Sequence, residues 1–124
     1  MKKKILIIDD DKDLTWCLAE RLSEEGYDAI SAEDADEAIL MAKKHSPDLM
    51  LLDIILPGMP GLKLAEYFYN DPGIKDISII FLTGILTKED EEKGRSVGGR
   101  HFIAKPYDPE KLLHLISETL KKKT

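Results

Sequence analysis

Short, continuous apolar runs alternate along the chain with longer stretches in which apolar residues recur at helical spacing. Ile5-Leu6-Ile7-Ile8 is unbroken and β-branched, as a strand buried on both faces would be. Behind it Leu14, Cys17, Leu18 and Leu22 fall on one stripe of a helix that Gly26 ends. Tyr27 to Ala32 is more mixed and predicts a strand at a sheet edge. Asp34, with Glu37 after it, forms a capping box for a helix carrying Ala38, Ile39, Met41 and Ala42, which stops before Pro47. Leu49-Met50-Leu51-Leu52 is a third buried strand and runs into Asp53. A helix from Leu62 to Asn70 precedes the turn signal Asp71-Pro72-Gly73. Ile77 to Leu82 is a fourth strand, and Phe102-Ile103-Ala104 lies in a fifth. Between them Thr87 can cap a helix over Lys88 to Val97 that is almost wholly polar and interrupted by Gly94. Asp108 and Pro109 open a last helix whose apolar side is Leu112, Leu113, Leu115, Ile116 and Leu120.

Five strand–helix units with short connections predict a single doubly wound α/β domain, a five-stranded parallel sheet with helices on both faces. No linker-like segment divides residues 1–124, so one domain is expected. The 43% hydrophobic content can fill a core, and no apolar run approaches the ~20 residues of a membrane-spanning helix. Met1-Lys2-Lys3-Lys4 is basic, but the apolar stretch behind it is too short for a signal peptide, so a soluble, cytoplasmic protein is expected. The net charge of −6 argues against nucleic acid as a direct partner. Lys2 to Lys4 and Lys121 to Lys123 are read as solvated ends. Cys17 is the sole cysteine and is expected to be a small buried hydrophobe, with Trp16 a packing or rim residue beside it. His45, His101 and His114 lack metal-ligand spacing, and Glu89 to Glu92 reads as a solvated helix face.

In an open parallel sheet, ligands collect beyond the carboxyl ends of the strands. Asp9, Asp10 and Asp11 follow the first apolar run, and Asp53 follows the third. Thr83 and Gly84 follow the fourth, and Lys105 and Pro106 the fifth. Carboxylates crowded on one rim repel one another, and a hard divalent cation with oxygen ligands, Mg²⁺, resolves this. A metal and a lysine beside one carboxylate suit phosphoryl transfer, which needs mainly positioning and charge neutralisation. A hydroxyl at Thr83 would then bond a phosphoryl oxygen. Taken singly, each residue has a plainer reading as a helix cap, a solvated turn or a surface lysine; together, at four strand ends, they point to one site.

Four pieces carry a resemblance over nearly the whole chain. They are Ile7-Ile8-Asp9-Asp10-Asp11, the stretch Leu52-Asp53-Ile54-Ile55-Leu56-Pro57-Gly58-Met59-Pro60-Gly61, Leu82-Thr83-Gly84, and Phe102-Ile103-Ala104-Lys105-Pro106. The sequence resembles the receiver domains of bacterial response regulators. The resemblance implies a flavodoxin-like receiver fold with strand order 2-1-3-4-5. It implies that Asp53 accepts a phosphoryl group, with Asp10 a direct Mg²⁺ ligand, Asp9 acting largely through water, and Ile55 offering its backbone carbonyl. Thr83 resembles the switch hydroxyl, Lys105 the phosphate-pairing lysine before a cis Pro106, and Phe102 the aromatic that turns inward on activation. The donor would be a sensor histidine kinase or a histidine phosphotransfer protein, docking beside the first helix and the loops holding Pro57 and Pro106. The output partner or domain, unknown from the sequence, would read the fourth helix, fifth strand and fifth helix. Such a protein is no enzyme in the ordinary sense, catalysing only its own phosphorylation and slow dephosphorylation.

Two other classes share some of these features. A haloacid-dehalogenase-like phosphohydrolase also uses an aspartyl phosphate, and Asp9-x-Asp11 imitates its first motif, but Lys12-Asp13 stands where Gly-Thr usually follows. A phosphorylation-independent interaction module on the same fold would not need the full set of acids, threonine and lysine. Three departures are specific to this chain. Ile55 and Ile85, two residues beyond Asp53 and Thr83, offer no hydrogen bond to orient a hydrolytic water, so slow loss of the phosphoryl group is expected. The segment Ile85 to Gly98 has little apolar area to hold it and is expected to be mobile until phosphorylation. Gly98-Gly99-Arg100-His101 stands where the family usually has Gly-Ala and acidic residues.

Overall fold

The computed structural model describes residues 2–74, 76–84 and 87–121, with the backbone alone at Arg100. Five strands and five helices alternate: β1 (Lys4–Ile8), α1 (Lys12–Glu24), β2 (Asp28–Ala32), α2 (Ala35–His45), β3 (Leu49–Leu52), α3 (Gly61–Tyr69), β4 (Ser78–Thr83), α4 (Lys88–Ser96), β5 (Gly99–Ala104) and α5 (Pro109–Lys121). All strand pairs are parallel, and the order across the sheet is β2-β1-β3-β4-β5. The doubly wound α/β architecture and the strand order are those expected. The mixed strand β2 lies at an edge, as its polar content foretold.

The central strands are buried, β1 from Ile5 onward and β3 and β4 throughout, because both faces are covered. Side chains alternate across each strand, so each one feeds two cores. Ile5, Ile7, Leu49, Leu51, Ile80 and Leu82 pack beneath Leu18 and Leu22 of α1 and Leu112, Ile116 and Leu120 of α5. Leu6, Ile8, Met50, Leu52, Ile79 and Phe81 pack on the other face beneath α2, α3 and Val97, the C-cap of α4.

Local signals fix the helix ends. The side chains of Asp11, Asp34 and Thr87 accept hydrogen bonds from the amides of Leu14, Glu37 and Asp90, capping α1, α2 and α4. Glu37 closes its box one residue further back than the simple motif, accepting from the Glu33 amide. Gly26, at φ +91, carries the chain out of α1 in the left-handed region.

Two expectations, for Cys17 and Lys4, need correction. Cys17 is exposed, not buried: Leu18 and Leu22 take the centre of the α1 stripe, and Cys17 sits at the rim of the cleft between α1 and α5. Trp16, expected as a packing or rim residue, takes the rim place and is 63% exposed. Lys4 is no tail: it opens β1, its amide donates to Asp48 Oδ2 at 2.8 Å, and its ammonium donates to the His45 carbonyl at 3.4 Å. The fifth strand also begins earlier than its apolar part, at Gly99. Among the described residues no helix is long and apolar enough to cross a membrane.

Candidate functional site

The carboxyl ends of β1, β3, β4 and β5 meet on one rim, and parallel pairing holds their first loop residues together. Asp9 follows β1 and its amide donates to the Ala32 carbonyl at 3.1 Å. Asp53 follows β3 and its amide donates to the Ile8 carbonyl at 3.0 Å. Lys105 follows β5, and its amide donates to the carbonyl of Thr83, the last residue of β4, at 2.8 Å. Each side chain thus projects from a backbone fixed by a neighbouring strand.

The side chains converge. The Lys105 ammonium donates to Asp9 Oδ2 at 2.6 Å and to Asp53 Oδ2 at 2.9 Å, so one cation bridges two strands' acids. The remaining oxygens are held by backbone: Asp9 Oδ1 accepts from the Asp11 amide at 2.9 Å, and Asp53 Oδ1 from the Ile55 amide at 3.0 Å. Asp10 is exposed beside them, and carboxylate oxygens of Asp9, Asp10 and Asp53 lie within 4.8 Å of one another. Three carboxylates face one ammonium, and that excess of negative charge suits a divalent cation with oxygen ligands.

Burial sets the electrostatics. Asp9 is 3% exposed, and its carboxyl is pushed above its ordinary value. Desolvation is the largest cause. Hydrogen bonds from Lys105 and the Asp11 amide pull the other way, and the nearby charge of Asp53 adds to the rise. For Lys105 burial alone would favour the neutral amine, but the hydrogen bonds to Asp9 and Asp53 outweigh it and hold its pKa above the ordinary lysine value. One ammonium stabilises its own charge against two acids while leaving Asp9 short of compensation.

The loop after Asp53 turns sharply because of its glycines. Gly58 sits at φ +83. Gly61 begins α3 so close to the end of β3 that a Cβ there would lie 2.0 Å from the Asp53 carbonyl oxygen. The Gly61 amide donates to the Ile54 carbonyl at 2.6 Å. Gly61 is thus a requirement of the site's backbone. The sequence displayed it only as the last letter of a motif, since close approach of α3 is a tertiary fact.

The other expected residues take these places. Thr83 is fully buried at the end of β4. The Lys105–Pro106 bond is cis. Ile55 is 55% exposed at the mouth of the site, while Ile85, its expected companion, lies outside the described residues. Phe102 is half-buried and stacks on Phe81, its neighbour in register on β4, with ring centroids 5.3 Å apart and planes 13° apart. A cleft of about 340 Å³ opens between α1 and α5, lined in part by Cys17, Leu18, Arg21, Tyr107, Pro109 and Leu113. Arg21 of α1 bonds Glu110 of α5 across its edge.

A 2-1-3-4-5 parallel sheet with an acid pair after β1, an acid after β3 and a lysine before a cis proline after β5 defines a phosphoryl-signalling receiver. The profile of the response regulator receiver domain matches residues 5–117, and the chain belongs to that family. It is similar to the probable transcriptional regulator ycf27 of Porphyridium aerugineum, at 35% identity over 98% of this chain and 49% of that protein. It is similar to the phosphate regulon transcriptional regulatory protein PhoB of Pseudomonas aeruginosa, at 34% identity over 97% of this chain and 52% of that one. The chain therefore spans about half the length of the curated relatives it matches. Among solved structures, a CheY-like receiver domain protein from Methanospirillum hungatei superposes with a TM-score of 0.92 at 32% identity, over 98% of this chain and 96% of that one. A two-component response regulator from Clostridium difficile gives 0.93 at 29% identity, over 99% of both chains. The haloacid-dehalogenase alternative is set aside by this membership.

Proposed function

We propose that this chain, as one receiver unit over residues 1–124, accepts a phosphoryl group on Asp53 from a phosphohistidine donor. The single observation that carries the reading is the Lys105 ammonium held between Asp53 and Asp9 on a rim with a third carboxylate, Asp10. The Asp53 carboxylate attacks phosphorus; the P–N bond to the donor imidazole breaks, its electron pair returns to nitrogen, and an acyl phosphate forms. Lys105 pairs with the phosphoryl oxygens and Thr83 donates its hydroxyl to one of them. Asp9, Asp10, Asp53 and the Ile55 carbonyl would hold Mg²⁺, which when bound neutralises the charge gathered there. The protein is then a signalling component that turns over only its own phosphoryl group. The donor, a sensor histidine kinase or histidine phosphotransfer protein, docks over α1 and the loops of Pro57 and Pro106. The cleft beside Leu18 and Pro109 supports that side. An output partner or domain reads α4, β5 and α5.

The test is incubation with acetyl phosphate and Mg²⁺, followed by mapping of the acid-stable, base-labile phosphate. Label on Asp53 that disappears in Asp53→Asn is the expected result. Label on Asp9, or full incorporation in the variant, overturns the reading.

The exposed Ile55 supplies no hydrogen bond to guide water, so the phosphoryl group persists. Decay in Ile55→Asn should run several-fold faster, about 1 kcal/mol in the barrier. Equal or slower decay would remove persistence from the proposal.

A further inference from the structure

Helix α4 has the sequence KEDEEKGRS, and Gly94 is its only buried residue. A glycine inside a helix disfavours it relative to alanine, so position 94 needs a reason. The reason is a ring. A Cβ at Gly94 would lie 2.6 Å from Phe102 Cε1, 2.8 Å from Phe102 Cζ and 3.0 Å from Phe81 Cε2. The Phe102 ring occupies the space a side chain of α4 would fill. Gly99, which opens β5, has no Cβ for a matching reason: one would meet Phe81 Cε2 at 2.6 Å and the Gly94 carbonyl oxygen at 2.8 Å. The exposed Arg95 brings its guanidinium to 5.2 Å from the Phe102 centroid.

Among the described residues little else ties α4 down. Lys93 approaches Glu66 of α3 at 3.8 Å, but both side chains are half exposed and such a pair contributes little. Val97 is buried just after the helix and anchors its end rather than its length.

We propose that Gly94 is a positioning residue for Phe102. By leaving its own side-chain space empty it seats the ring between α4 and Phe81, and that ring, flanked by Arg95, is the latch that holds α4 on the sheet. The inference concerns the protein without any phosphoryl group and stands or falls separately from the role of Asp53.

Amide hydrogen exchange of the unphosphorylated protein tests it, comparing Lys88–Ser96 with α5 in Gly94→Ala, Phe102→Ala and the double variant. Each single change should speed exchange in α4 roughly ten-fold, the worth of an aromatic pair, and leave α5 unchanged. In the double variant the rates should match those of Phe102→Ala or fall several-fold below them, because the methyl then meets no Phe102 ring and alanine favours the helix over glycine. A merely crowded or generally weakened helix would instead multiply the two factors. Unchanged α4 exchange in Phe102→Ala, or multiplication in the double variant, overturns the latch. Arg95→Gln leaves the core intact and gives an independent reading should a core variant fail to fold. It should speed α4 exchange about threefold and shift the Phe102 ring resonances, and the absence of both effects also counts against the latch.

Discussion

Helices α4 and α5 flank the same edge strand, yet they are held in opposite ways. The 13 residues of α5 bury Thr119 and pack Leu112, Ile116 and Leu120 against β1, β3 and β4. At about 1.5–3 kcal/mol for each buried aliphatic side chain, the leucines and the isoleucine anchor α5 by roughly 5–9 kcal/mol. The nine residues of α4 bury only a glycine and carry four acids in a row, so their own side chains supply no comparable anchor. A fold that must hold Asp9, Asp53 and Lys105 within hydrogen-bonding distance needs the first kind of helix. A face proposed to change in response to events at that site calls for the second.

The comparison breaks first at α5. Ile116→Ala should lower global stability by about 2–5 kcal/mol, read as a lower urea midpoint at unchanged slope. Exchange should rise together in the core strands and α5. A loss below about 1 kcal/mol would mean that α5 is no firmer an anchor than α4.

The acid site gives the next effect, and its sign follows from Asp9. Its folded-state pKa is raised, chiefly by burial, above the ordinary carboxyl value of 3.8. Its contribution to stability is therefore present below that pH and lost as pH rises through the folded value. Lys105, also raised, from 10.5, contributes stability that is lost only in the alkaline range, as pH climbs through its own folded value. Between these windows metal-free protein carries an under-compensated Asp9. Stability of the wild type relative to Asp9→Asn should fall as pH climbs from about 4 toward neutrality, measured by urea unfolding in chelator. Added Mg²⁺ should restore the wild type and not the variant. A pH-independent difference would show that Lys105 fully compensates Asp9.

What the sequence made legible divides along the same line. The buried strands showed as unbroken apolar runs because both faces of the sheet are covered. The acids, Thr83 and Lys105 stood at strand ends, where parallel topology alone gathers them. The amphipathic stripe of α5 named most of its own contacts, although Leu113 and Leu115 are only partly buried and Thr119 takes a core place. The α4 region resisted reading because its packing comes from another element. Gly94 looked like an interruption of a weak helix, yet it is the contact point, and the ring that fills its space is eight residues away on β5. Phe102 was identified by resemblance as a switch position, but its stack on Phe81 depends on a register between β4 and β5 that no local pattern specifies. Cys17 departs from its pattern for the converse reason: its place on a helical stripe predicts core, but the cleft between α1 and α5 leaves it at the rim.

The smallest effect discriminates best between an independent α4 and one that is simply part of the whole. The Thr87 hydroxyl accepts from the Asp90 amide at 3.1 Å and is exposed, away from both cores. Thr87→Ala removes one cap, worth about 1 kcal/mol, and touches nothing in the acid site. If α4 opens separately from the rest, its amides should exchange about five-fold faster while the urea midpoint and α5 exchange stay unchanged. If the midpoint falls by the full amount and exchange rises everywhere, α4 unfolds only with the domain. The contrast between the two helices would then be one of composition without a difference in local stability, because a helix that opens only globally is as firmly held as its neighbour whatever the area it buries.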